Sequence, residues 1–84
     1  MSTYNGWESW DHWQTALWIS NDMRYYSRLT EATEQVVYQQ MSRSEAVSYI
    51  LKSLPKQTPD GGTWKRAVVS RLLEEEYDEM LQWS

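Results

Sequence analysis

His12, the only histidine in this 84-residue chain, lies four residues after Glu8 and beside Asp11. That grouping is the one place where acid–base or metal chemistry could begin. A catalytic base needs a nucleophile or a pocket partner, and a metal site needs three or four ligands. The sequence offers neither beside His12, which therefore reads as a surface histidine stabilised by Glu8 one helical turn away. Cysteine is absent, so thiolate zinc sites and a disulfide framework are excluded and a reducing cytoplasm is the natural setting. Glycine-rich phosphate loops and nucleophile elbows are absent as well. The expectation is a protein that is not an enzyme and carries no metal and no cofactor.

Two charged groupings invite binding chemistry instead. Glu74, Glu75, Glu76, Asp78 and Glu79 could imitate a run of phosphates and enter a cationic groove on a partner, although charge runs more commonly solvate a helix. Lys65, Arg66 and Arg71 near Trp64, together with Arg24 and Arg28, suggest the reverse: a ring for base stacking flanked by phosphate-binding cations. The overall balance is eight Lys/Arg against twelve Asp/Glu, a formal charge of −4. That charge disfavours nucleic acid as a direct ligand and favours a basic protein surface as partner.

The aromatic residues are the strongest signal. Six tryptophans occur without one phenylalanine, and Trp7, Trp10, Trp13 and Trp18 fall within one short stretch. Trp and Tyr are enriched among interface hot spots, so Tyr4, Trp7 and Trp18 are candidate partner-binding anchors. Trp10, Trp13 and Leu17, at i, i+3 and i+7, are instead expected to face the core, with Trp18 also in packing. On that reading Trp10→Ala should cost about 3 to 5 kcal/mol. Asn5-Gly6-Trp7 is expected to form a turn, since glycine permits a positive φ and asparagine can tie the chain, aiming Trp7 into the bundle.

The elements that must position these residues are all helical. Strand-like alternation is missing, helical spacing recurs throughout, and four of the five Gly/Pro residues lie between Pro55 and Gly62. One all-α domain over residues 1–84 follows, a compact bundle of four to five short helices. The first helix starts after Ser9 as N-cap, and Asn21-Asp22 breaks or caps the chain before Met23. The second spans Met23 to Met41, with Met23, Tyr26, Leu29, Thr33, Val36, Val37 and Met41 inward. Ser42 or Ser44 caps a third that carries Ala46, Val47, Ile50, Leu51 and Leu54 and stops at Pro55. Thr63 caps a fourth opening at Trp64, with Val68, Val69, Leu72 and Leu73 buried. Acids oppose the macrodipole near a helix C-terminus, so a bend at Glu74 to Glu76 and a short fifth helix are expected, one unbroken helix being the other arrangement. No leader and no apolar run of membrane-spanning length is present, so a soluble, unprocessed cytoplasmic protein is expected.

Tyr4-Asn5-Gly6-Trp7, Trp10, Ala16-Leu17-Trp18-Ile19 and Asn21-Asp22 together resemble the head of a family of small, largely uncharacterised proteins. That family is carried by phages, plasmids and some bacterial and archaeal genomes. Its head reads approximately N-G-W, T-W, A-L-W, N-D, and its tail is similar to Leu72-Leu73 with Tyr77-Asp78-Glu79-Met80. Ser9 replaces the family's threonine and keeps the capping hydroxyl, whereas Trp13 stands where many relatives carry other apolar residues. No activity is implied by the resemblance. The genomic setting implies a protein that binds a host protein or protein complex and inhibits it, of the anti-CRISPR or anti-restriction type, inside the host cytoplasm. A small nucleic-acid-binding regulator is the alternative, and an oligomeric accessory protein is the second.

Overall fold

In a computed structural model, which describes residues 4–82, every helix boundary has a local cause. Ser9 is extended and its Oγ accepts from the His12 N–H, so α1 runs Trp10–Asn21. Asp22 then serves two helices at once. Its N–H donates to Trp18 O, closing α1, while its carboxylate accepts from the Arg24 N–H and opens α2, Met23–Val37. The Arg24 guanidinium binds the same carboxylate and holds it below the usual aspartate value.

α2 ends four residues before the expected Met41. Gln39 adopts φ +61, and the N–H groups of Gln40 and Met41 fold back onto Gln35 O, which satisfies the helix end without glycine. Ser42, rather than Ser44, caps α3 (Arg43–Ser53). A reciprocal pair forms there, Ser42 Oγ accepting from Glu45 N and Glu45 Oε1 accepting from Ser42 N. Leu54 is extended ahead of Pro55 and stops the helix.

α4 occupies Arg66–Gln82. It opens two residues later than Trp64, because the Lys65 N–H is taken by Thr15 Oγ1 and Lys65 O receives the first helical N–H groups. The expected bend at Glu74 to Glu76 does not occur, and α4 continues unbroken. Its acids are separated by the helix: Glu74 meets Arg43, Glu75 meets Arg71 and Glu76 accepts from Tyr26 Oη. Three partners on three sides relieve the repulsion that a new helix start was expected to relieve.

These four helices, with the isolated Tyr4–Trp7 bridge, make a small all-α domain without strands among the described residues. Each helix supplies the core, which is centred on Ile19, Ala32, Ala46, Ile50, Val69 and Leu73, all sealed from solvent. Burying one such side chain is worth about 1.5 to 3 kcal/mol, so the aliphatic centre, rather than the tryptophans, carries the packing. In α2 the buried stripe is Tyr25, Leu29, Ala32, Thr33 and Val36, which leaves Met23 at 79% exposure against the inward expectation. No helix among the described residues is long and apolar enough to cross a membrane.

Candidate functional site

The head of the chain is a two-residue hairpin. Asn5 and Gly6 both take positive φ, 48° and 85°, and Tyr4 and Trp7 exchange both backbone hydrogen bonds at 2.7 Å. This turn sets the two rings apart. Trp7 packs half-buried against the core beneath the Arg71 guanidinium, 4.6 Å from its ring centroid, while the Tyr4 ring lies outside on Trp13, centroids 4.9 Å apart.

Trp10, Trp13 and Leu17 do share one face of α1, but it is the outer face. At about 100° per residue the three fall within an arc of about 60°, and Thr15 and Ile19 lie on the opposite side. Thr15, Ala16 and Ile19 are buried, whereas Trp10 is 39% exposed and Trp13 and Leu17 are half-buried. The expectation that Trp10 is a core residue is therefore overturned. What displaced it is polar. Thr15 Oγ1 donates to Asp11 O and accepts from Lys65 N, tying α1 to the entry of α4. Gln14 is buried under the loop before α4, where its Oε1 accepts from Thr58 Oγ1 and Trp18 Nε1 and its Nε2 donates to Asp60. A helix whose inner side holds Gln and Thr has turned its rings outward.

The indole N–H groups separate the tryptophans further. Trp18 donates to Gln14 and Asp60, and Trp64 donates to Pro55 O while its ring meets the edge of Tyr25 at 5.5 Å. Both are thereby fixed as half-buried structural rings. Among the described residues no acceptor faces Nε1 of Trp10 or Trp13. Trp83 lies outside the described residues.

The charged candidates disperse. Arg24 pairs with Asp22 at 2.8 Å, Arg28 with Glu31 at 3.5 Å and Arg71 with Glu75 at 3.3 Å. Arg66 binds Ser44 and Ser48 of α3, and Lys65 is half-buried at the α1–α4 joint. No shared basic face with Trp64 results. Of the five acids, Asp78 and Glu79 alone carry no ion pair or hydrogen bond among the described residues. Burial and the Glu76 carboxylate raise the Tyr26 hydroxyl above its usual pKa, and Glu31 does the same to Tyr49.

His12 is occupied at both nitrogens. Ser9 Oγ stands 2.7 Å from Nδ1 and Glu8 stands 3.1 Å from Nε2, so each ring nitrogen has a partner within the chain. No group of three or more His, Cys, Asp or Glu suited to a metal ion occurs among the described residues. The cleft beside Trp7 and His12, about 200 Å³, is walled by Ala67, Val68 and Arg71 of α4.

Sequence reasoning placed the Asn-Gly turn, the Ser9 cap and the Asp22 junction. It missed Gln14, Thr15, Thr58 and Asp60. Their one legible signal was Gln14-Thr15 set between Trp13 and the apolar run Ala16 to Ile19, with a loop of Pro and Gly residues before α4. Helix geometry defines a small all-α domain. The chain belongs to a family of unknown function, DUF7249, whose match runs over residues 1–83. Comparison with curated proteins and with solved structures gave no match.

Proposed function

We propose that this chain is a non-catalytic binding protein whose docking surface is the outer face of α1, formed by Tyr4, Trp10, Trp13 and Leu17. One observation carries the reading. An amphipathic helix normally turns its large apolar side chains to the core, and here the Trp10 indole is exposed, with half-buried Trp13 and Leu17 on its side of the helix, while glutamine and threonine are buried. Indoles on a helix surface are characteristic anchors of protein interfaces. Following the head motif Asn5-Gly6-Trp7 and the setting it implies, the partner is a host protein, and the activity is inhibition of a nucleic-acid-handling defence complex of a phage or plasmid host. Asp78 and Glu79 are the C-terminal acids left to join such a contact.

Affinity capture from the natural host with the wild type and with Trp10→Ala tests the proposal. The captured protein should be lost with Trp10→Ala and retained with Glu75→Gln, whose carboxylate is engaged by Arg71. Equal capture by Trp10→Ala would refute the assignment of the surface. Self-association through the same stripe is the second reading, favoured by the same exposed rings. It requires a concentration-dependent sedimentation coefficient that Trp10→Ala abolishes. Direct nucleic-acid binding is weaker, since Arg24, Arg28 and Arg71 are each spent on an acid of the chain itself.

A further inference from the structure

Asparagine is chemically labile because the backbone nitrogen of the next residue can attack its side-chain carbonyl, and a following glycine, lacking Cβ, leaves that approach open. The asparagines of this chain are Asn5 and Asn21, and Asp60 is the acid that precedes a glycine. The fold treats these sites differently. At Asn21 the side-chain Nδ2 donates to Leu17 O, and the next N–H, that of Asp22, donates to Trp18 O. At Asp60 the carboxylate accepts from Gln14 Nε2 and Trp18 Nε1, and the Gly61 N–H donates to Thr58 O. Both reacting groups are held in each case. At Asn5-Gly6 neither is. The two residues are exposed, and among the described residues neither the Asn5 side chain nor the Gly6 N–H makes a hydrogen bond. Asn5 serves the turn through its φ of 48° and leaves its amide unused.

We propose that Asn5 is a self-modification site, at which the head hairpin converts its own asparagine to isoaspartate and aspartate. The Gly6 nitrogen gives up its proton to solvent base, and its electron pair closes on Asn5 Cγ. The Cγ–Nδ2 bond breaks, and Nδ2 leaves with a proton as ammonia. Water then opens the cyclic imide. Opening at the Cγ–N bond gives aspartate; opening at the backbone C–N bond gives isoaspartate, in which the chain runs through Cβ and Cγ. The balance is amide plus water to carboxylic acid plus ammonia, with no change of oxidation state.

The hairpin sets the timing. Closing the imide ring turns the Asn5–Gly6 peptide about the Asn5 Cα–C bond, and the exchanged 2.7 Å bonds between Tyr4 and Trp7 hold that torsion. The reaction therefore runs from the opened hairpin. Opening is local, because the Tyr4–Trp7 bridge is isolated and the Tyr4 ring is held by its contact with Trp13 at 4.9 Å. Isoaspartate adds a backbone carbon to the two-residue turn, and the exchanged bonds cannot both re-form. Tyr4 then leaves Trp13. Since ammonia is lost to solvent, the step runs one way, and the head of the chain carries a clock whose rate is the frequency of hairpin opening.

The test incubates the full folded chain at neutral and at mildly alkaline pH and follows each site by peptide mass spectrometry with separation of the isomers. Asn5 should convert to both products, faster at the higher pH, while Asn21 and Asp60 stay unchanged. An intact Asn5, or conversion of Asn21 or Asp60 at the same rate, overturns the site. Tyr4→Ala removes one aromatic pair from the closed hairpin and should speed conversion about two- to tenfold, with the two chains reacting alike once unfolded in urea. An unchanged folded rate, or a difference that persists in urea, overturns the gating by the hairpin. In the purified isoaspartate form the Tyr4 and Trp7 amides should lose their protection from hydrogen exchange while the Ile50 amide keeps its own. Asn5→Asp, which carries the new charge on an unaltered backbone, should keep all of them protected. Protection of Tyr4 and Trp7 that survives in the isoaspartate form overturns the release of the hairpin.

Discussion

The Thr58 hydroxyl donates to the side-chain carbonyl of Gln14 over 2.7 Å, a buried bond between residues 44 positions apart. Gln14 Oε1 also receives Trp18 Nε1, and Thr58 Oγ1 also accepts from the Gly62 N–H, so one amide organises α1, an indole and the loop before α4. Gln14→Leu removes the acceptor of the buried Thr58 hydroxyl. The expected cost is about 1 to 3 kcal/mol for that unsatisfied group, read by urea denaturation. A loss under about 0.5 kcal/mol, the scale of a surface change, would show that the loop is held by other means.

Gly62 is required for closeness rather than for an unusual φ. A Cβ there would stand 2.9 Å from Thr58 Oγ1 and 3.0 Å from Gln14 Cβ, contacts that neither partner can relieve without breaking their own bond. Gly62→Ala should therefore destabilise by about 1 to 3 kcal/mol, as overpacking does. Gly61→Ala provides the comparison, because its added Cβ meets nothing and its cost comes from φ +90 alone. In Gly62→Ala the Trp18 indole N–H signal should shift as well, and an unmoved signal would contradict the coupling of loop and indole.

Helix positions were legible in the sequence because caps and breaks act locally. Ser9, Asp22, Ser42 and Pro55 each hold the boundary their side chains favour. The facing of α1 was not legible. Periodicity identifies which residues share a side, and Trp10, Trp13 and Leu17 do share one, but periodicity does not say which side meets the core. That choice depended on Gln14 and Thr15 finding partners at Thr58, Asp60 and Lys65, contacts spanning more than half the chain. The unbroken α4 was illegible for a related reason. Glu74, Glu75 and Glu76 look like one charge run in sequence and point to three different partners in space.

Reversal of α1 makes opposite stability predictions for two of its residues. Trp10→Ala removes a ring that is 39% exposed and should cost about 1 to 2 kcal/mol, below the value for a core tryptophan. Ile19→Ala opens a cavity at a position with no exposure and should cost about 2 to 5 kcal/mol. Thermal unfolding of both variants checks the order. If Trp10→Ala were the more damaging, the assigned outer face would be wrong, and the docking proposal would lose its basis.

Acid should act on the second turn-and-cap unit, at the start of α3. Backbone and side-chain hydrogen bonds with Ser42 hold the Glu45 carboxyl below its usual 4.5, so the folded chain prefers the ionised form more strongly than the unfolded chain does. The unfolded state then binds more protons between the two values, and stability falls as pH is lowered. The contribution is present in full above about pH 4.5, the unfolded value, and is lost as pH drops through the lower folded value. Glu45→Gln keeps an acceptor for the Ser42 N–H but removes the titration. The difference in stability between wild type and Glu45→Gln, measured from pH 6 down to the acid limit of folding, should shrink as pH falls. A difference that stays constant with pH would show that the capping box holds Glu45 without regard to its charge.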